Sequence, residues 1–140
     1  MSGVTDARLL VLFPGALGDL CLLAPSLASA MERGLHVELC VQRSLVPLAR
    51  VLLPSVEIGP AIDGGLMASL FAPTVAPELA DVLRRADRVH AWLRRTDDGS
   101  LAARFAALGV SATLHAVPRD DADEHVGREY AAMLGLSDDP

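Results

Sequence analysis

The chain has 140 residues, the length of one ordinary domain. Twelve basic against 18 acidic residues leave a formal net charge of −6, which argues against a nucleic-acid backbone as the main partner. Hydrophobic residues make up 51%, too many for a disordered chain, and aromatics at 4% leave the core to Leu, Ala and Val.

Every basic residue is Arg; Lys is absent. Two cysteines, Cys21 and Cys40, make no disulfide framework, no CxxC pair and no metal spacing. They are expected to be buried free thiols in a reducing compartment. The four histidines, His36, His90, His115 and His125, are too scattered in sequence to suggest a cluster. No bound metal or cofactor is therefore expected. Residues 1–8 carry Asp6 and lack a basic region before a cleavable apolar stretch, so no signal peptide is expected. The longest uncharged apolar stretch, residues 20–31, contains Pro25 and is too short to span a bilayer. These features suit a soluble cytoplasmic domain, at most peripheral at the inner membrane.

In chain order, residues 8–13 form a short continuous apolar run, read as a strand. The turn-rich loop Pro14-Gly15-Ala16-Leu17-Gly18 follows. Asp19 opens a helix that ends near Arg33, with Gly34 just past its end and Pro25 expected to kink it. Residues 35–41 alternate as a strand, and residues 44–53 read as a helix with Ser44 as N-cap. Residues 56–58 form a third strand, and residues 64–71 a short helix. Residues 77–85 form a helix with Pro77 at its first position and Arg84 and Arg85 in its last turn. Residues 87–93 are the fourth strand. Residues 98–108 are a helix closed by Gly109, residues 112–117 the fifth strand, and residues 123–134 a last helix closed by Gly135. Strands alternating with helices five times over predict an α/β domain, a Rossmann-like doubly wound parallel sheet, over residues 1–136. Residues 137–140 read as the start of a linker.

In such a sheet ligands bind beyond the carboxyl ends of the strands. The loops there carry Gly15 to Asp19, Gln42 and Arg43, Arg94 to Asp97, and Pro118 to Asp121. In the first, Gly15 and Gly18 allow a sharp turn and a close approach to a ligand, and the helix start offers free N–H groups. Asp19 there has two readings, an N-cap or a general base at a ligand crevice. A Walker A loop is excluded because it needs Lys, and the dinucleotide pattern GxGxxG is absent. Arg43, at the end of the second strand, would suit a 2′-phosphate and keeps an NADP site open as an alternative. Arg94 and Arg95 follow the fourth strand and could pair with phosphates on a ligand. Arg84, Arg85 and Arg88 read as helix-end and solvated charge. His90 and His115 read as packed strand residues, His125 as structural, and Trp92 as core or cleft wall.

The loop Gly15-Ala16-Leu17-Gly18-Asp19, the apolar strand before it and Pro25 in the helix after it resemble the opening of glycosyltransferase family 9. That family contains the ADP-heptose:lipopolysaccharide heptosyltransferases. Residues 86–93 and the segment from His125 to Leu136 resemble later parts of the same domain more weakly. The likeness runs through the whole chain but covers only half of a family member. It implies the N-terminal half of a GT-B fold, two Rossmann-like domains across a cleft. This half would receive a saccharide or lipid-linked saccharide acceptor. Nucleotide-sugar would bind only through a C-terminal donor domain, without which the chain would be inactive. The resemblance also implies metal-independent transfer with inversion and Asp19 as general base, with Gly15, Ala16, Leu17, Gly18, Arg43, Arg94 and Arg95 as substrate contacts. Phe13-Pro14 departs from the basic or hydroxyl residue that many members carry before the first Gly. A rival reading is a non-catalytic binding module of the same fold that pairs with itself or with a separate partner half.

Overall fold

The structure, a computed structural model, describes residues 7–93 and 100–116. Five parallel strands form one sheet in the order β3-β2-β1-β4-β5. They are β1 (Arg8–Leu12), β2 (His36–Cys40), β3 (Glu57–Ile58), β4 (Arg88–Leu93) and β5 (Ala112–Ala116). The helices are α1 (Leu17–Glu32), α2 (Val46–Leu52), α3 (Gly65–Ala68), α4 (Pro77–Arg84) and α5 (Ser100–Leu108). The expected last helix and the linker lie outside the described residues.

β1 is the central strand and is buried on both faces, which is why it reads as an unbroken apolar run. Its side chains divide with period two. Leu9, Val11 and Phe13 pack with Leu20, Leu23 and Leu27 of α1, with Val37, Leu39 and Val41 of the β2 segment, and with Trp92. Leu10 and Leu12 point the other way, into a second core built with Leu79 and Leu83 of α4 and Leu101 and Phe105 of α5. The sheet therefore has apolar layers on both faces, as the alternating pattern predicts. The strand order steps one way from β1 to β3 and the other way from β1 to β5, so the switch point lies between β1 and β4.

Local details depart from expectation in several places. The N-cap of α1 is Ala16, not Asp19, and Asp19 occupies the third helical position. Pro25 does not break α1, which runs without interruption from Leu17 to Glu32. Pro25 and Cys21 both lie on the exposed side. The Cys21 carbonyl that proline leaves without an N–H is thus on the side open to water. Ser44 is not a cap. It sits in a 3-10 turn over Arg43–Leu45, and α2 starts at Val46 with Pro47 in its first turn. The entry is set instead by Asp63, whose Oδ1 accepts the Arg43 backbone N–H at 2.8 Å. Cys40 is buried as expected, but Cys21 is exposed because it falls on the same helical stripe as Leu17 and Pro25. Gly34 and Gly109 have φ of 93° and 74°, the left-handed conformation expected just past a helix end.

An ion pair joins the buried Glu38 of β2 to the exposed Arg85 at the C-terminal end of α4. Glu38 is 6% exposed and its two carboxylate oxygens accept from Arg85 Nη2 at 3.2 and 3.0 Å. The neighbouring Cys40 thiol is pushed up in pKa by burial and then by the Glu38 carboxylate.

Candidate functional site

The loop between β1 and α1 stands at the switch point, beyond the carboxyl end of the central strand. Strand pairing continues through Phe13, whose N–H donates to Cys40 O at 2.9 Å. The Gln42 side-chain amide then donates to Pro14 O at 2.9 Å and fixes the loop to the end of β2.

Gly15 is required by close packing. A Cβ on it would lie 2.6 Å from Cζ of Phe13 and 2.9 Å from Cβ of Asp19. Gly18 is different: a Cβ there would meet nothing within 4 Å. Ala16, Leu17 and Gly18 are exposed, and Leu17 is 56% exposed. The first turn of α1 therefore presents an uncluttered surface together with the N–H groups that no helix carbonyl satisfies.

Asp19 is half-buried, and its Oδ2 accepts the Ala16 N–H at 3.2 Å. This is the carboxylate half of a capping box, with Ala16 lacking the oxygen for the other half. Among the described residues the Asp19 carboxylate makes no second hydrogen bond. One oxygen is thus held by the loop and the other can accept a proton from a bound hydroxyl.

Arg43 is exposed, and its Nη2 lies 3.7 Å from the position of a Cβ on Gly64. Among the described residues its guanidinium makes no ion pair. The fold brings Gly15, Ala16, Leu17, Gly18 and Asp19 together on one turn. Arg43 stands at the same edge of the sheet, beside the segment after β3. Arg94 and Arg95 lie outside the described residues. Arg84 and Arg85 take structural roles, with Arg84 Nε donating to Leu108 O at 3.1 Å and Arg85 holding Glu38. Among the described residues no group of three or more His, Cys, Asp or Glu could hold a metal ion. Among them no helix is long and apolar enough to cross a membrane.

One cluster was not visible in the sequence. His90 and His115 are not scattered: Nδ1 of His90 and Nε2 of His115 share a hydrogen bond at 2.9 Å. Their rings stack with planes 8° apart. His90 is pushed down to a pKa of about 4 by burial, then by the nearby His115 and Arg88, and His115 is pushed down by burial. Trp92 lies 4.7 Å from the His115 ring and meets Phe13 edge-on at 5.6 Å. The signal that could have found the pair is the register. Trp92 pairs with His115 and His90 with Thr113, so both histidines face the α1 side.

A scan against protein-family models gives no match. A search of curated proteins gives none either. Solved structures share the fold. A glycosyl transferase family 9 protein from Veillonella parvula superposes with a TM-score of 0.55 at 15% identity, over 96% of this chain and 43% of that one. The E. coli heptosyltransferase WaaC, solved with ADP-2-deoxy-2-fluoro heptose, superposes with a TM-score of 0.52 at 16% identity, over 93% of this chain and 49% of that one. The chain spans less than half the length of each. The five-stranded parallel sheet is thus a Rossmann-like domain of the kind that forms half of these transferases.

Proposed function

We propose that the chain is the acceptor-side domain of a family 9 type glycosyltransferase, with Asp19 as the general base. The observation that carries this reading is the placement of Asp19. Its carboxylate is held at the switch point by the Ala16 N–H, with one oxygen left for a ligand among the described residues.

In the reaction an acceptor hydroxyl hydrogen-bonds to the second Asp19 oxygen. As the hydroxyl oxygen attacks the anomeric carbon of a nucleotide-sugar, its proton passes to Asp19. The bond from that carbon to the nucleotide phosphate breaks on the opposite face, and the nucleotide leaves with the electron pair. The configuration inverts, and no step requires a metal.

Gly18 leaves room for the acceptor above the first turn of α1, and Ala16 and Leu17 flank it. Phe13-Pro14 gives the acceptor no charge, so anionic groups on it would meet Arg43, Arg94 or Arg95. The nucleotide-sugar would be held by a second domain, as the greater length of the matching structures suggests. Alone, the chain would bind acceptor without transferring sugar. Its place would be the cytoplasmic side of the inner membrane, at the surface where a lipid-linked acceptor is presented.

A thermal-shift panel tests the reading. Delipidated lipopolysaccharide core oligosaccharide should raise the melting temperature through mass action, and ADP, UDP and GDP should not. A rise with NADP alone would overturn it and move the site to Arg43.

A further inference from the structure

The sheet face that packs against α1 carries an ionisable pair that the proposed transfer does not use. His90 and His115 share one hydrogen bond at 2.9 Å. Trp92 lies against His115, and Phe13 stands edge-on to Trp92. The Phe13 ring and Asp19 Cβ both crowd the position a Gly15 Cβ would take, at 2.6 and 2.9 Å. A line of direct contacts thus runs from the two imidazoles to the loop that holds Asp19.

We propose that the His90–His115 pair is a proton-responsive device that sets the position of Gly15 and Asp19 through Trp92 and Phe13, and so regulates acceptor binding. The last clause rests on the function proposed above; the coupling to the loop does not.

With both rings neutral, one N–H lies between them and the bond is satisfied. With both charged, two N–H groups face each other and the bond is lost. The first proton is already opposed. Burial disfavours the charge, and so do the partner imidazole and Arg88 on β4, whose Nη1 donates to Thr113 Oγ1 at 2.8 Å. β1 presents only Leu9, Val11 and Phe13 to this face. Among the described residues no carboxylate offsets charge on the pair. The pair therefore has two arrangements, a bonded one that holds while either facing nitrogen lacks a proton, and a doubly charged one that needs water. His115 is the half-buried member and is the ring that turns away from His90. Trp92 then loses its ring neighbour, and Phe13 repacks beneath Gly15, where no slack exists.

Nitrogen–proton correlation spectra of the labelled full chain, taken from about pH 7.5 to about pH 3 so that the range passes through the His90 midpoint, test the coupling. The background is Asp19→Asn, so that the loop carboxylate itself cannot titrate. The expected result is a shift of the Gly15 and Ala16 amide signals with the same midpoint as the imidazole ring signals. His115→Gln should abolish it, and His90→Gln serves should the first variant unfold. Imidazoles that titrate while the loop signals stay fixed would overturn the proposal, as would a loop shift that survives either substitution. Titration of the unmodified chain with core oligosaccharide at the two pH extremes separates the regulatory claim from the function. Binding at neither pH defeats the function, whereas binding with the same Kd at both defeats the regulation.

Discussion

The Gln42 side-chain amide donates to the Pro14 carbonyl oxygen at 2.9 Å, across 28 residues of sequence. Gln42 ends the β2 segment and Pro14 begins the loop after β1, so one hydrogen bond joins the two strand ends that flank the candidate site. Gln42→Ala should cost about 1 kcal/mol of stability, the net worth of a half-buried hydrogen bond. A denaturant melt reads this, and the loop amides should broaden in the same variant.

The two loop glycines should respond in opposite directions. Gly15→Ala drives a methyl into the Phe13 ring and Asp19, so a loss of about 1–3 kcal/mol is expected. Gly18→Ala meets nothing within 4 Å and places a better helix former in the first turn, so stability should rise by up to about 1 kcal/mol. If the acceptor lies over Gly18, the same methyl should weaken its binding. Melting curves with and without oligosaccharide check both halves.

Arg85→Ala should leave the Glu38 carboxylate buried without its cation, at a cost of about 1–3 kcal/mol. Replacing both residues by Leu should recover most of that loss, because the buried Glu38 charge is then removed along with its partner. A double-mutant cycle by chemical denaturation measures it.

Acid should weaken the fold through the histidine pair. In the folded chain His90 titrates at about 4, below its ordinary value of 6.5, and His115 is shifted the same way. The unfolded chain therefore binds more protons between these values. This contribution is fully present above pH 6.5, falls as the pH drops below it, and is gone once the pH has passed through about 4. His90→Gln should flatten that part of the stability profile, and fluorescence of Trp92 follows it.

Much of the fold was legible because period and punctuation agree. The apolar run of β1, Pro77 opening α4, and Gly34 and Gly109 closing their helices each follow from local chemistry. The loop from Gly15 to Asp19 was legible for the same reason, since Gly spacing and an acid at a helix start are local signals. Contacts distant in sequence were not. Asp63 replaces Ser44 at the entry to α2 because a 20-residue return brings it there. His90 and His115 meet because register aligns two strands 25 residues apart. The start of α1 was read at Asp19 rather than Leu17 because Ala16, with no polar side chain, carries no sign of a cap.

The central claim is that Asp19 and its loop bind the acceptor of a sugar transfer. A residue-resolved NMR titration of the full chain with delipidated lipopolysaccharide core oligosaccharide tests it most directly. The expected result is a set of shifts centred on the amides of Gly15, Ala16, Leu17, Gly18 and Asp19, weakened by Asp19→Asn. Shifts centred instead on Arg43 and residues 61–64, and produced by NADP but not by the oligosaccharide, would contradict it.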